Sequence, residues 1–140
     1  MSKEIKSPTA KQIISKLNDP AYQITRLAKM IHQDAEEHGL WDDFRDAMKK
    51  HADQPNYFRE SITRYYATSV VAGEVSELRN AHENKKHYAE EAADVVIAML
   101  STCVELGIDI GAEIVGKMET NRKRPHKHGK ENCYVQLEKV

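Results

Sequence analysis

The spacing of apolar residues constrains this chain most, because they recur with a period close to 3.6 along nearly its whole length. This spacing gives an α-helix one apolar face, whereas a half-buried strand needs apolar and polar residues to alternate. The sequence contains no such alternation bounded by turn residues. It therefore predicts an all-α protein, with the main domain a bundle of four to five helices.

Capping and turn residues divide this pattern into helices. Ser7-Pro8 and Asp19-Pro20 each place a capping side chain before a proline at the first helical position. Gly39 and Gly107 are placed to end helices, because glycine readily adopts the left-handed conformation common at a helix C-terminus. The predicted helices cover residues 8–17, 20–38, 40–50, 57–82, 87–106 and 109–124.

Length and helix order predict one domain with short extensions. A chain of 140 residues is an ordinary single domain, large enough to bury most of the surface that its unfolded form exposes. We expect an N-terminal extension or short helix over residues 1–20, a helical domain over 21–130 and a C-terminal tail over 131–140.

Composition argues against several classes of protein. Lys plus Arg number 21 and Asp plus Glu 22, so the net charge gives no overall attraction to nucleic acid or membrane. Cys103 and Cys133 are too few for a disulfide scaffold and suit a reducing compartment. Residues 1–6 are charged, unlike a signal peptide, and the apolar run 95–104 is too short to cross a bilayer. We expect a cytoplasmic protein that binds neither membrane nor nucleic acid.

Two pairs of carboxylates form a candidate metal site. Glu74 and Glu77, and then Glu91 and Asp94, are each three residues apart within predicted helices, so each pair projects from one side of its helix. Two antiparallel helices could aim all four inward, a costly arrangement unless a divalent cation neutralises the charges. The alternative is an acidic helix surface, as expected for Glu83, Glu90 and Glu105.

Ligand chemistry indicates which metal such a site would prefer. Four carboxylates offer oxygen alone, which suits Mg²⁺ or its substitute Mn²⁺, whereas zinc sites favour His and Cys. A di-iron centre in a helical bundle uses Glu-x-x-His pairs, and no Glu in this chain has a His three residues later. Magnesium also shares its coordination positions with substrate phosphates, so a phosphorylated substrate is expected.

A basic segment closes the last predicted helix. Arginine and lysine there offer donors to phosphate oxygens, which predicts a polyphosphate site. Two alternatives remain open: cations favour a helix C-terminus, and a basic tail can touch nucleic acid without specificity. The candidate phosphate-binding residues are Lys117, Asn121, Arg124, Lys127, His128 and Lys130.

These motifs together resemble a known family. Glu74-Val75-Ser76-Glu77-Leu78, Glu91-Ala92-Ala93-Asp94-Val95 and the ending Lys117-x3-Asn121-x2-Arg124-Pro125-x-Lys127-His128-Gly129-Lys130 look like those of MazG-type nucleoside triphosphate pyrophosphohydrolases. Residues 31–42 also resemble a helix of the single-domain members, and the resemblance extends over residues 25–130. Where those members often carry an aromatic residue beside Trp41, this chain has Leu40, and it inserts a charged stretch over 45–53.

The resemblance implies a fold, a reaction and roles for residues. The fold would be that of the all-α NTP pyrophosphatases. Glu74, Glu77, Glu91 and Asp94 would be the catalytic and Mg²⁺-binding residues, and the basic ending would hold the β and γ phosphates. A nucleoside triphosphate would be hydrolysed at the α-β anhydride to a monophosphate and pyrophosphate. Members form homodimers or homotetramers, and a run of apolar residues over 95–100 also favours an oligomer.

Base recognition and the exact activity stay open at this point. Trp41 is either a stacking platform for the base or a core anchor, and His32 could supply a polar contact. Tyr65 and Tyr66 are expected in the core. Phosphoribosyl-ATP pyrophosphatase shares the carboxylate motif, and a non-catalytic nucleotide-binding helical module would carry the same charges. Nothing in the sequence fixes the preferred base or sugar.

Overall fold

The computed structural model describes residues 8–123, and this part of the chain is all-α. Its helices are α1 (Ala10–Leu17), α2 (Pro20–Glu37), α3 (Asp42–Lys49), α4 (Asn56–Asn80), α5 (Lys85–Glu105) and α6 (Ile110–Arg122). Five of these helices lie within the predicted domain, and α1 lies in the N-terminal extension. The all-α prediction is therefore confirmed for the described residues, which contain no strand.

Side-chain caps set most helix starts. Asp19 accepts a hydrogen bond from the Ala21 amide at 3.1 Å, with Pro20 at the first helical position as predicted. The predicted start of α1 at Pro8 is two residues early, because Thr9 is the capping residue. Thr9 Oγ1 accepts from the Gln12 amide at 3.3 Å, and the Gln12 side chain accepts from the Thr9 amide at 2.8 Å. Reciprocal capping of this kind satisfies two donors and fixes the helix start.

Glycines end two helices as predicted, and one glycine lets two helices meet closely. Gly39 after α2 has φ +73° and Gly107 after α5 has φ +69°, in the left-handed region. Gly111 in α6 packs directly against α2, where a Cβ atom would overlap the carbonyl oxygen of Ala21 and the hydroxyl of Thr25. The approach of α6 to α2 therefore depends on this glycine.

Helix α5 is the centre of the packing. It forms a hairpin with α4 through residues 81–84 and packs on α2 along its second half, while α6 packs mainly on α2. An aromatic group closes the α3 end of the core: the rings of Phe44 and Tyr66 stack at 4.4 Å, and Trp41 meets both edge-on. The buried apolar residues are Ala28, Trp41, Phe44, Ala67, Val71, Ala81, Ala98, Leu100 and Cys103.

One core prediction for α4 is wrong. Tyr65 is 78% exposed, whereas Tyr66 is the tyrosine that reaches the core. Neighbouring helical positions are turned by about 100° from each other, so one of two adjacent tyrosines faces solvent.

Across residues 8–123, no single helix combines the length and apolarity needed for a membrane span, and α5 and α6 meet that test only as a pair bent by 111°.

Candidate metal site

Three of the four predicted carboxylates converge where α4 and α5 pack together. Glu74 of α4 and Glu91 and Asp94 of α5 each offer an oxygen, and these oxygens lie within 4.8 Å of one another. The hairpin produces this convergence, because its short connection at 81–84 sets residue 74 beside residues 91 and 94. Glu74 and Glu91 are half-buried, and Asp94 is exposed at the rim.

One of the two carboxylate oxygens of Glu91 has no partner in the part of the chain that the structure describes. His87 Nε2 donates to Glu91 Oε1 at 2.9 Å, one helical turn away. Glu91 Oε2 is buried and has no hydrogen-bond partner among the described residues. A buried carboxylate oxygen without a partner costs free energy, because it has lost water and gained no donor. A carboxylate that has an unpaired oxygen and lies beside two further carboxylates fits a hard divalent cation.

The pKa of Glu74 shows the effect of placing several carboxylates together. Burial raises the pKa of its carboxyl above the usual range, and the charges of Glu77, Asp94 and Glu91 raise that pKa further. A bound cation would relieve both causes, since it replaces lost hydration and offsets the repulsion. The site therefore fits Mg²⁺ or Mn²⁺ by its all-oxygen donor set and by its uncompensated negative charge.

Glu77 does not join the three converging acids. Its side chain lies on the exposed side of α4, although it is close enough for its charge to act on Glu74. The difference follows from helix geometry: a three-residue step turns the side chain by about 300°, so one member of the pair faces α5 more directly. The prediction that Glu77 binds metal or acts in catalysis stays a prediction.

A second group of titratable side chains lies between α2 and α5. His32 Nε2 is 3.2 Å from a Glu105 oxygen and 3.6 Å from a Glu36 oxygen. Arg45 completes this group, with its Nη2 atom 2.6 Å from Glu105 and 2.5 Å from Glu36. The three acid and imidazole groups could by position hold a metal. Arg45 is paired with both carboxylates, so this cluster is an ion-pair network.

The sequence did not predict the pairing of Arg45 with Glu105 or the burial of Glu105. Glu105 was expected at the surface, but its side chain is only 13% exposed. The fork of Arg45 makes two hydrogen bonds to it, at 2.9 and 2.6 Å. Hydrogen bonds to Glu105 and then Glu36 raise the pKa of Arg45, and the bond from Arg45 lowers the pKa of Glu36. No local signal marks this pairing, because its partners are 60 residues apart.

The two residues proposed for base recognition are both buried. Trp41 is 1% exposed, and its Nε1 donates to Ser101 Oγ at 3.1 Å. His32 is 8% exposed, and its Nδ1 lies 3.2 Å from the same hydroxyl. The structure thus gives Trp41 the contacts of a core anchor, the second of the two interpretations that the sequence allowed. Ser101 joins the two rings and lies two helical turns beyond Asp94 on α5.

The basic half of the predicted site is described only in part. Lys117 and Asn121 are exposed on α6, one turn apart, which agrees with their predicted shared face. Because α6 packs mainly on α2, the structure does not bring these two residues into contact with the carboxylates. The remaining candidates, Arg124, Lys127, His128 and Lys130, lie outside the described residues.

Comparison of the chain with protein-family models, with curated proteins and with solved structures gave no match.

Proposed function

We propose that this chain is an Mg²⁺-dependent nucleoside triphosphate pyrophosphohydrolase of the MazG-like all-α type. The observation that carries the proposal is the convergence of Glu74, Glu91 and Asp94, together with a buried oxygen of Glu91 that has no hydrogen-bond partner among residues 8–123. The motif resemblance supplies the reaction: hydrolysis of the α-β phosphoanhydride to a nucleoside monophosphate and pyrophosphate. The all-α fold is compatible with this assignment.

Each carboxylate has a role in the proposed reaction. Glu74, Glu91 and Asp94 would hold Mg²⁺ or Mn²⁺. A bound divalent cation supplies Lewis acidity, neutralises phosphate charge and acidifies water at such sites. Glu77 lies outside the three-acid cluster and stays accessible to solvent, so it is the carboxylate left to accept a proton from the attacking water. The burial of Glu91 limits competing water at one side of the site.

The basic residues would bind the leaving group. Lys117 and Asn121 present a donor face on α6, and Arg124 and Lys127 follow in the sequence. Donors placed on the β and γ phosphates stabilise the charge that develops on pyrophosphate as it leaves. His128 and Lys130 extend the same basic run.

An oligomer is part of the proposal. Val96, Ile97, Met99 and Met118 are each about half exposed on α5 and α6. Exposed apolar side chains grouped on packed helices mark surfaces that a second protein surface covers. A homodimer or homotetramer would cover them, and light scattering on the purified chain measures its mass. Val96→Glu should reduce that mass, and a monomeric parent protein would contradict this part of the proposal.

Pyrophosphate release is the direct test of the activity. The purified chain is incubated with a panel of canonical and modified ribo- and deoxynucleoside triphosphates, with Mg²⁺ or Mn²⁺, and products are separated. Monophosphate plus pyrophosphate supports the proposal, and diphosphate plus phosphate contradicts the assigned bond. Glu74→Gln and Asp94→Asn should abolish release, whereas Glu83→Gln, at an exposed acid outside the cluster, should not.

The same panel of nucleotides, with phosphoribosyl-ATP added, distinguishes the proposed activity from the two alternative functions. Turnover of phosphoribosyl-ATP above all nucleoside triphosphates would assign the related pyrophosphatase activity instead. Saturable nucleotide binding without turnover of any compound would identify a nucleotide-binding module. Either result would overturn the proposed reaction while leaving the carboxylate site in place.

A further inference from the structure

A large cleft at the opposite end of the α4–α5 hairpin from residues 81–84 contains none of the four carboxylates. Its volume is about 940 Å³, within the range of small-molecule sites. The walls come from α3, the first turns of α4 and the end of α5 with the turn that follows. We propose that this cleft binds an organic phosphate, in which a phosphate monoester contacts Arg59 and an apolar body fills the remaining space. The cleft is lined by Phe44, Arg45, Met48, Lys49, Ala52, Asn56, Arg59, Glu60, Thr63, Arg64, Glu105, Leu106 and Ile108.

The cations of the cleft differ in how far they are already neutralised. Arg45 is bound to Glu105 and Glu36, Lys49 to Asp46 at 2.7 Å, and Arg64 faces Glu60 at 3.8 Å. Among the described residues, Arg59 makes no ion pair. It is therefore the lining cation that no carboxylate of the described residues engages.

Arg59 also has an unsatisfied donor. Its Nη2 donates to Asn56 Oδ1, while its Nε is buried and has no hydrogen-bond partner within residues 8–123. A buried guanidinium donor without an acceptor leaves the charge of Arg59 poorly compensated, and an anion in the cleft would offset this charge from the lining side of the residue. Guanidinium forks match phosphate oxygens in geometry, which favours a phosphate as that anion.

The start of α4 adds positive potential beside Arg59. Asn56, the first residue of α4, lines the cleft, and the preceding Pro55 makes no side-chain cap. The first turn of α4 contains no acidic residue, so no side chain of that turn offsets the positive end of this 25-residue helix. Together with Arg59, this helix end favours a bound anion.

The size and lining of the cleft determine the rest of the ligand. Bare phosphate would leave most of 940 Å³ unfilled, whereas Met48, Leu106 and Ile108 provide apolar walls. Burying an aromatic or aliphatic body against such walls adds affinity roughly in proportion to the apolar area covered. A phosphate monoester with an apolar body therefore fits better than inorganic phosphate. The site does not depend on the proposed pyrophosphohydrolase activity.

A titration with phenyl phosphate tests the proposal on the full chain. It is performed with a chelator present, so that no divalent cation draws phosphate to the carboxylates, and amide shifts are followed by two-dimensional NMR. We expect saturable shifts at Met48, Arg59 and Leu106. Inorganic phosphate should bind more weakly, and neutral benzyl alcohol should produce no saturable shift at Arg59.

Matched variants identify the residues responsible. Arg59→Gln should weaken phenyl phosphate binding about tenfold or more, the effect of losing a charge-assisted hydrogen bond. Arg79→Gln, at an exposed arginine of the same helix outside the cleft, should leave the affinity unchanged. Glu74→Gln should also leave it unchanged, since Glu74 is not in the cleft.

A second pair of variants keeps the test independent of the folding of Arg59→Gln. Ala52 is exposed on the cleft wall, and Ala47 is exposed on α3 away from the cleft. Ala52→Glu should weaken binding by charge repulsion, whereas Ala47→Glu should not. Absence of saturable shifts in the parent chain, or equal affinities within both pairs of variants, would overturn the proposal.

Discussion

His87 holds one oxygen of Glu91 at 2.9 Å, while the other oxygen of that carboxylate is buried without a partner. The single hydrogen bond orients the carboxylate across one turn of α5, and the same carboxylate belongs to the cluster with Glu74 and Asp94. A carboxylate held in this way is prepared for a cation, because its rotation is restricted before the cation arrives. A bound cation would offset the cost of the unpaired oxygen.

Mg²⁺ should therefore stabilise the fold through Glu91. At a hundredfold excess of the ion over its Kd, we expect the free energy of unfolding to rise by about 2.7 kcal/mol. Glu91→Gln should lose most of this gain, because the amide removes one negative charge from the cluster. Thermal unfolding with and without Mg²⁺ measures the difference. Glu90→Gln, at the exposed neighbouring acid, is the control, and an equal gain in both variants would contradict the metal site.

Replacing two glycines of α6 by alanine should change the free energy of unfolding in opposite directions. Gly111→Ala should lower the free energy of unfolding by about 1–3 kcal/mol, because its methyl group would overlap Ala21 and Thr25 of α2. A Cβ atom at Gly116 would have no atom within 4 Å. Gly116→Ala should therefore raise the free energy of unfolding by about 0.5–1 kcal/mol, because alanine has the higher helix propensity. Urea denaturation of both variants gives the comparison. Similar effects at the two positions would contradict the close α2–α6 contact.

Substitution of Ser101 in the core should lower the free energy of unfolding. Its hydroxyl accepts from Trp41 Nε1 and also contacts His32 Nδ1, so Ser101→Ala leaves two buried ring nitrogens without this partner. We expect a loss of about 1–3 kcal/mol in the free energy of unfolding. Ser76→Ala, at an exposed serine of α4, should change stability little. Intrinsic Trp41 fluorescence followed during chemical denaturation reports both stabilities.

Substitutions of Arg45 and Glu105 should have non-additive effects on the free energy of unfolding. Arg45→Met leaves the largely buried Glu105 without its cation and should cost about 1–3 kcal/mol, less than a fully buried pair because Arg45 is 39% exposed. Adding Glu105→Leu should recover part of that loss, since the uncompensated charge is removed. Arg64→Met, at an exposed pair, should cost about 0.5 kcal/mol or less. Additive effects of the two substitutions would contradict direct coupling.

Asp109 should contribute a pH dependence at the start of α6. Its pKa lies below the usual 3.8, first because Thr25 donates to it at 2.6 Å and then because the Ala112 amide does. A lowered folded pKa gives stability that is present above the unfolded pKa and is lost as pH falls through the folded pKa. Thr25→Val should raise the Asp109 pKa, and its destabilising effect should shrink as pH falls below 3.8.

A carboxyl NMR titration measures the Asp109 pKa in both proteins. Thr68→Val is the control, because Thr68 lies on α4, away from Asp109, and its hydroxyl donates to the carbonyl of Arg64 within the same helix. An unchanged Asp109 pKa in Thr25→Val would contradict the role of this hydrogen bond.

Local signals in the sequence predicted the helices well. Asp19-Pro20, Gly39, Gly107 and Asp109 act within a few residues of where they stand, through caps and left-handed turns, so their effect needs no tertiary information. The errors at the start of α1 and at Tyr65 are equally local in origin. At α1, the capping box of Thr9 and Gln12 sets the helix start, and not the Ser7-Pro8 pair on which the prediction relied. At α4, the apolar pattern did not show which of the adjacent residues Tyr65 and Tyr66 faces the core.

The carboxylate pattern was predicted as a set, but its geometry was not. Spacing alone placed Glu74, Glu77, Glu91 and Asp94 on faces of two helices. The rotation of each helix about its axis depends on what it packs against, and this rotation brought three of the acids together and left Glu77 outside.

By itself, the sequence determined the all-α fold of residues 8–123, the boundaries of the helices there to within a few residues and the candidate acids, because periodicity and capping are properties of short segments. The tertiary structure alone decided that Trp41 is a core anchor bonded to Ser101, and that Glu105 is an interior partner of Arg45. It also decided that Glu91 has a buried, unpaired oxygen. These features depend on which distant segments meet, and burial and pairing exist only after the helices have packed.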